Sequence, residues 1–92
     1  MNVEVVGNRI IIKGNIKSFN DSQTIKSVIE NLTKYEEIIL DLKDSISITS
    51  ALIGYLTKLS NEKNIVLRVK DNNLYDLLDD LGLIQKLNVI KV

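Results

Sequence analysis

The sequence contains no cysteine and no histidine. These two absences exclude disulfides, thiol nucleophiles, the usual zinc sites and every Ser-His triad. Glycine is sparse. Gly7, Gly14, Gly54 and Gly82 are the only four, and they form neither a phosphate-binding loop nor a dinucleotide fingerprint. The aromatic residues Phe19, Tyr35, Tyr55 and Tyr75 are scattered and make no stacking platform for bases. Net charge is missing too: twelve basic and twelve acidic residues cancel and interleave. Nothing therefore drives the chain onto nucleic acid or an anionic membrane. The apolar runs Ile10–Ile12 and Ile38–Leu40 fall far short of the roughly 20 residues that span a bilayer. After Met1, the stretch NVEVV has neither the basic start nor the long apolar run of a signal peptide. A cytoplasmic location without direct membrane insertion is expected.

What the chain does have is apolar content, 45% over 92 residues, enough for the core of one domain spanning residues 1–92. Val3–Val6 and Arg9–Lys13 are β-rich runs separated by Gly7-Asn8, a two-residue hairpin signal. After Phe19, the polar group Asn20-Asp21-Ser22 offers helix caps, and Ile25, Val28, Ile29 and Leu32 follow at helical spacing to about Lys34. Glu37–Leu42 reads as a strand buried on both faces, because Ile38, Ile39 and Leu40 are consecutive. A helix over about Ser50–Asn61 and a strand over Ile65–Val69 come next. Asp71-Asn72-Asn73 caps a third helix with an apolar stripe of Leu74, Leu77, Leu78 and Leu81, and Gly82 terminates it. Asn88–Val92 is a last short strand. The order β-β-α-β-α-β-α-β predicts an α/β domain with a mixed, mostly parallel sheet and an N-terminal hairpin.

Few residues invite catalytic chemistry. Asp41, at a strand end, suggests the phospho-acceptor of a receiver domain, but Gly14-Asn15 supplies no acid pair for magnesium. A strand-end aspartate before a polar loop accounts for it. Asp76, Asp79 and Asp80 lie largely away from the leucine stripe of the third helix, as a solvated face requires. No general base, metal site or phosphate cradle remains, so neither an enzyme nor a cofactor is expected.

The stretch SISITSALIGYLTKL, Ser45–Leu59, is different because its period changes partway. Ile46 and Ile48 alternate with polar residues, as at the end of a half-buried strand. Beyond Thr49, Leu52, Leu56 and Leu59 fall at helical spacing. Thr49 and Ser50 occupy the junction. Either hydroxyl suits a helix N-cap. A phosphate there would also meet unpaired amides and the positive end of the helix dipole.

At this junction the sequence resembles the STAS family, the domain of bacterial anti-sigma factor antagonists that also occurs in sulfate transporters and lipid-transport subunits. The likeness runs through RIIIKGNI (Arg9–Ile16), IILDLKDSISITSALIGYL (Ile38–Leu56) and LLDDLGLIQKLNVI (Leu77–Ile90). It implies a non-catalytic protein-interaction domain, an anti-anti-sigma factor in transcription regulation. Its partner would be an anti-sigma factor of the serine kinase type, which would make it a phosphoprotein. The phosphorylated serine of the family aligns with Ser50, with Thr49 the alternative. The implied partner-binding residues are Thr49, Ser50, Ala51, Ile53 and Gly54. A second implication is a constitutive subunit of a transporter or other multiprotein assembly, without a phosphoswitch. The chain departs from the family in two places. Thr49 replaces the aspartate before the serine. Leu52 replaces a small glycine and sets bulk where the family lets a partner approach.

Overall fold

A computed structural model describes all residues, Met1–Val92. Five strands and three helices follow the expected order: β1 (Asn2–Val6), β2 (Arg9–Lys13), α1 (Phe19–Glu30), β3 (Glu37–Leu42), α2 (Ser50–Leu59), β4 (Asn64–Val69), α3 (Asn72–Asp80) and β5 (Val89–Lys91). The strands lie side by side in chain order. β1 pairs antiparallel with β2, and the other three pairings are parallel. Gly7 takes a φ of 60° as the first of the two central turn residues, the position a type II′ hairpin reserves for glycine.

The winding has a physical consequence. Each βα unit steps one strand in the same direction, and right-handed crossovers then deliver all three helices to one face of the sheet. Burial follows that rule. Ile10, Leu40, Leu67 and Val89 form one row across the covered face, and Ile38 with Ile65 and Leu42 with Val69 form its neighbours. Against them pack Ile25, Ile29 and Leu32 from α1 and the turn after it, Leu52 and Leu56 from α2, and Leu74 and Leu78 from α3. The opposite face is not covered by helices: Ile11, Ile39 and Val66 are half-buried there. The consecutive isoleucines of β3 thus do not mark a strand covered on both faces.

Asp41 sits on that open face as the penultimate residue of β3. It is buried, its carboxylate lies 3.5 Å from the Arg68 guanidinium of β4, and it accepts the Lys43 amide at 3.1 Å. It is a sheet residue with a charge partner rather than an acid in a polar loop. Winding without reversal also leaves no crevice between diverging strand ends, where open α/β sheets usually bind ligands. No helix is long and apolar enough to cross a membrane.

One helix cap differs from expectation and another matches it. The N-cap of α1 is Ser18, and Asp21 completes a capping box by accepting the Lys17 and Ser18 amides at 3.0 and 3.3 Å. Those amides, Lys17 first, hold the Asp21 carboxyl below its ordinary pKa. At the far end of α3, Gly82 adopts a φ of 70°, with hydrogen bonds from Gly82 to the Asp79 carbonyl and from Leu83 to the Leu78 carbonyl. That pair is a Schellman motif, as the position of Gly82 predicts. The leucine stripe of α3, however, is split: Leu74 and Leu78 are buried, while Leu77 and Leu81 are exposed.

Candidate functional site

All three helices begin at the same edge of the sheet, because each follows a strand of the same direction. That edge is held together by the loops after β2 and β3. Ser45 Oγ donates to the Gly14 carbonyl at 2.7 Å, the Ile46 amide donates to Asn15 Oδ1 at 2.9 Å, and Ser47 Oγ donates to the Ile16 carbonyl at 3.2 Å. These bonds explain why the alternating stretch Ser45–Ile48 is not a strand: its polar groups are bound to the neighbouring loop, not to a ladder. β3 ends at Leu42, and Ile46 is left exposed.

Thr49 and Ser50 have separate tasks. Thr49 is the N-cap of α2, with extended backbone angles and its Oγ1 accepting the Leu52 amide at 3.2 Å. Its hydroxyl also makes a hydrogen bond with the hydroxyl of Ser22, a buried residue in the first turn of α1. Ser22 Oγ in turn donates to the Ser18 carbonyl at 3.2 Å. Either hydroxyl of the Thr49–Ser22 pair can donate to the other. The chain from the Leu52 amide through Thr49 and Ser22 to Ser18 ties the start of α2 to the start of α1. It engages the Thr49 hydroxyl with both the Leu52 amide and Ser22.

Ser50 is the first helical residue of α2, not its cap. It is exposed, and its hydroxyl makes no hydrogen bond within the protein. No protein acceptor reaches the amides of Ser50 and Ala51 either, as expected for the first residues of a helix. The first turn of α2 carries no acidic side chain. A dianion on Ser50 would therefore meet free N–H groups and the positive helix end, with no carboxylate in that turn to repel it.

The remaining expected contact residues divide by burial. Ser50, Ala51 and Gly54 are exposed, whereas Thr49 and Ile53 are half-buried, and Ile53 packs partly on the core. Leu52 points fully into the core, so its bulk is absent from the surface. The outer side of this helix start is built of small residues. A Cβ added at Gly54 would meet nothing within 4 Å.

Of the hollows in the surface, one lies beside this region and another at the opposite end of α2. One, of about 340 Å³, lies between the loops after β3 and β4 and is lined by Lys43, Asp44, Ser45, Ile46, Lys70, Asp71 and Asn72. Its charges cancel, and the Asp71 carboxylate is occupied capping the Leu74 amide at 2.9 Å. The other, of about 320 Å³, lies between the distal ends of α1 and α2. There burial, aided by Glu30 and Glu62, raises the pKa of Tyr55, and Lys63 is spent on the carbonyls of Thr33 and Tyr35. Asp76, Asp79 and Asp80 make no ion pair and belong to no cluster of the kind that holds a metal.

Ser22 is the buried partner of Thr49 that the sequence pattern does not pair with it. A signal for it exists, since Ser22 stands three residues before Ile25 on the apolar side of α1, where a polar residue needs an internal partner. No protein-family model and no curated protein sequence matches the chain.

Proposed function

We propose that the protein is a STAS-type interaction domain acting as an anti-sigma factor antagonist, with Ser50 as its phosphorylation site. Unphosphorylated, it binds an anti-sigma factor of the serine kinase type and thereby releases a sigma factor. The kinase activity and its ATP belong to the partner, in a cytoplasmic pathway. The observation that carries the reading is the division between Thr49 and Ser50. One hydroxyl is consumed in the fold, and the next is free at a helix start whose outer surface is small and uncharged.

A surface of Ser50, Ala51 and Gly54 lets a partner backbone approach closely. Phosphate on Ser50 adds about −1.5 to −2 charges to that contact. Desolvating such a dianion without a cation opposite it opposes association strongly. Inside the domain the same phosphate is tolerated, because the free amides of Ser50 and Ala51 receive it. The switch then acts on the interface and leaves the fold intact.

The test is phosphate incorporation. The purified chain is incubated with lysate from cells that express it and with labelled ATP, and the modified peptide is sequenced. The proposal expects label on Ser50 that vanishes in Ser50→Ala and persists in Thr49→Ser. Label on other residues only, or on none, contradicts it and leaves a constitutive subunit as the better reading.

A further inference from the structure

The face of the sheet without helices carries a pattern of charge that the strand register makes explicit. Val6, Arg9, Ile39 and Val66 lie side by side in one row across β1 to β4. Glu4, Ile11, Asp41, Arg68 and Ile90 form the next row. Lys13 follows Ile11 by two residues and Glu37 precedes Ile39 by two, so both share this face. Its apolar members remain open: Ile90 is 50% exposed, and Ile39 and Val66 are half-buried with no helix over them.

Acids and bases balance here, and most are already paired. Lys13 lies 3.9 Å from Glu4, and Arg68 lies 3.5 Å from Asp41. Arg9 and Glu37 are the charges left over, for neither side chain has an ion-pair partner. An acidic partner on this face would meet Glu4, Glu37 and Asp41, and a basic one would meet Arg9, Lys13 and Arg68. A surface that carries the same mixed pattern avoids both conflicts.

The positions of the two free charges suit a second copy. With strands about 4.8 Å apart and a rise of about 3.3 Å per residue, the Cα atoms of Arg9 and Glu37 are about 8 Å apart. They stand on opposite sides of the diagonal that runs from Ile39 through Val66 to Ile90. A two-fold axis along that diagonal brings each of these three apolar residues near its own equivalent. The same rotation sets Arg9 of each chain over Glu37 of the other, as an isologous interface requires. The two sheets then cross steeply, towards the orthogonal class of sheet packing.

We propose that the open face of the sheet joins two copies of this chain, through the apolar diagonal and two reciprocal Arg9–Glu37 ion pairs. The helices lie on the other face, so this surface is separate from Ser50. Five strands of about five residues offer roughly 400 Å² to each copy. That is about half of what a stable interface takes from each partner, so the dimer is reversible and fills with concentration.

The test is sedimentation velocity of the full chain from micromolar to millimolar concentration. The wild type is expected to pass from monomer to dimer across that range. Arg9→Glu and Glu37→Arg should each weaken the dimer by at least about tenfold, because each sets like charges opposite one another. An equimolar mixture of the two variants should dimerise again, since every pair between the two kinds of chain is then complementary. Restored association in the mixture also shows that both variants are folded, which circular dichroism checks independently. A wild type that stays monomeric throughout overturns the proposal. So does a single variant that dimerises as well as the wild type, or a mixture that associates no better than its components.

Discussion

Thr49→Ala is the perturbation that separates cap from switch. It removes the acceptor of the Leu52 amide and the hydrogen-bond partner of Ser22 together. Losing an N-cap hydroxyl costs about 0.5–2 kcal/mol. The hydrogen bond between Thr49 and Ser22 contributes about 0.5–1.5 kcal/mol more. The sum is about 1–3.5 kcal/mol, a large share of the roughly 5–15 kcal/mol that stabilises a typical domain. At about 4–8 °C per kcal/mol for a domain of this size, Tm should fall by at least about 4 °C. Ser50→Ala removes no internal hydrogen bond and should change stability by less than about 0.5 kcal/mol. Urea melts of the two variants, with Thr49→Ser as the control that keeps the hydroxyl, measure the difference. Adding Ser22→Ala and the double variant isolates the term between the two helices, since these residues are in direct contact. Equal losses in Thr49→Ala and Ser50→Ala would refute the division of roles. Additive losses at Thr49 and Ser22 would refute the link between the helix starts.

Gly54→Ala should stabilise the domain by about 0.5–1 kcal/mol, because alanine is the better helix former and its methyl group meets open space; if partner capture weakens at the same time, Gly54 is retained for close approach, and a destabilised variant would show the space to be absent. Asp21 carries a lowered pKa, so on acidification the unfolded chain takes up its proton first. Its stabilisation is complete above the ordinary carboxylate value of about 4 and is lost as pH falls through the lowered native value; thermal melts of Asp21→Asn should lack that acid limb. Leu78→Ala should cost about 2–5 kcal/mol in denaturant, whereas Leu77→Ala, at an exposed position, should cost far less; similar losses would place the wrong face of α3 against the sheet.

Much of this architecture was legible because local chemistry and topology agree. The hairpin glycine Gly7, the cap Asp71 and the terminator Gly82 act within a few residues, so their positions in the sequence carry their roles. The one-sided sheet was less legible. Ile39 sits among Ile38 and Leu40 like a doubly buried residue, and only the unidirectional winding shows that its face lacks helices. On α3, periodicity groups Leu74, Leu77, Leu78 and Leu81 into one stripe but does not say how much of it the sheet reaches. The stretch Ser45–Ile48 imitates a strand because alternation is the only local signal there, and its partners lie 31 residues away in sequence. The Thr49–Ser50 junction was visible as a helix start. Which hydroxyl caps and which is free depended on Ser22, 27 residues earlier and on another helix.

The central claim is that charge at Ser50 controls a protein contact without altering the fold. Its most direct test is quantitative comparison of proteins captured from native lysate on immobilised wild-type, Ser50→Ala and Ser50→Asp chains, after equal stability of the three has been established. A partner retained by wild type and Ser50→Ala and lost by Ser50→Asp is the expected result. A partner held equally by all three, or lost equally by Ser50→Ala and Ser50→Asp, would contradict it.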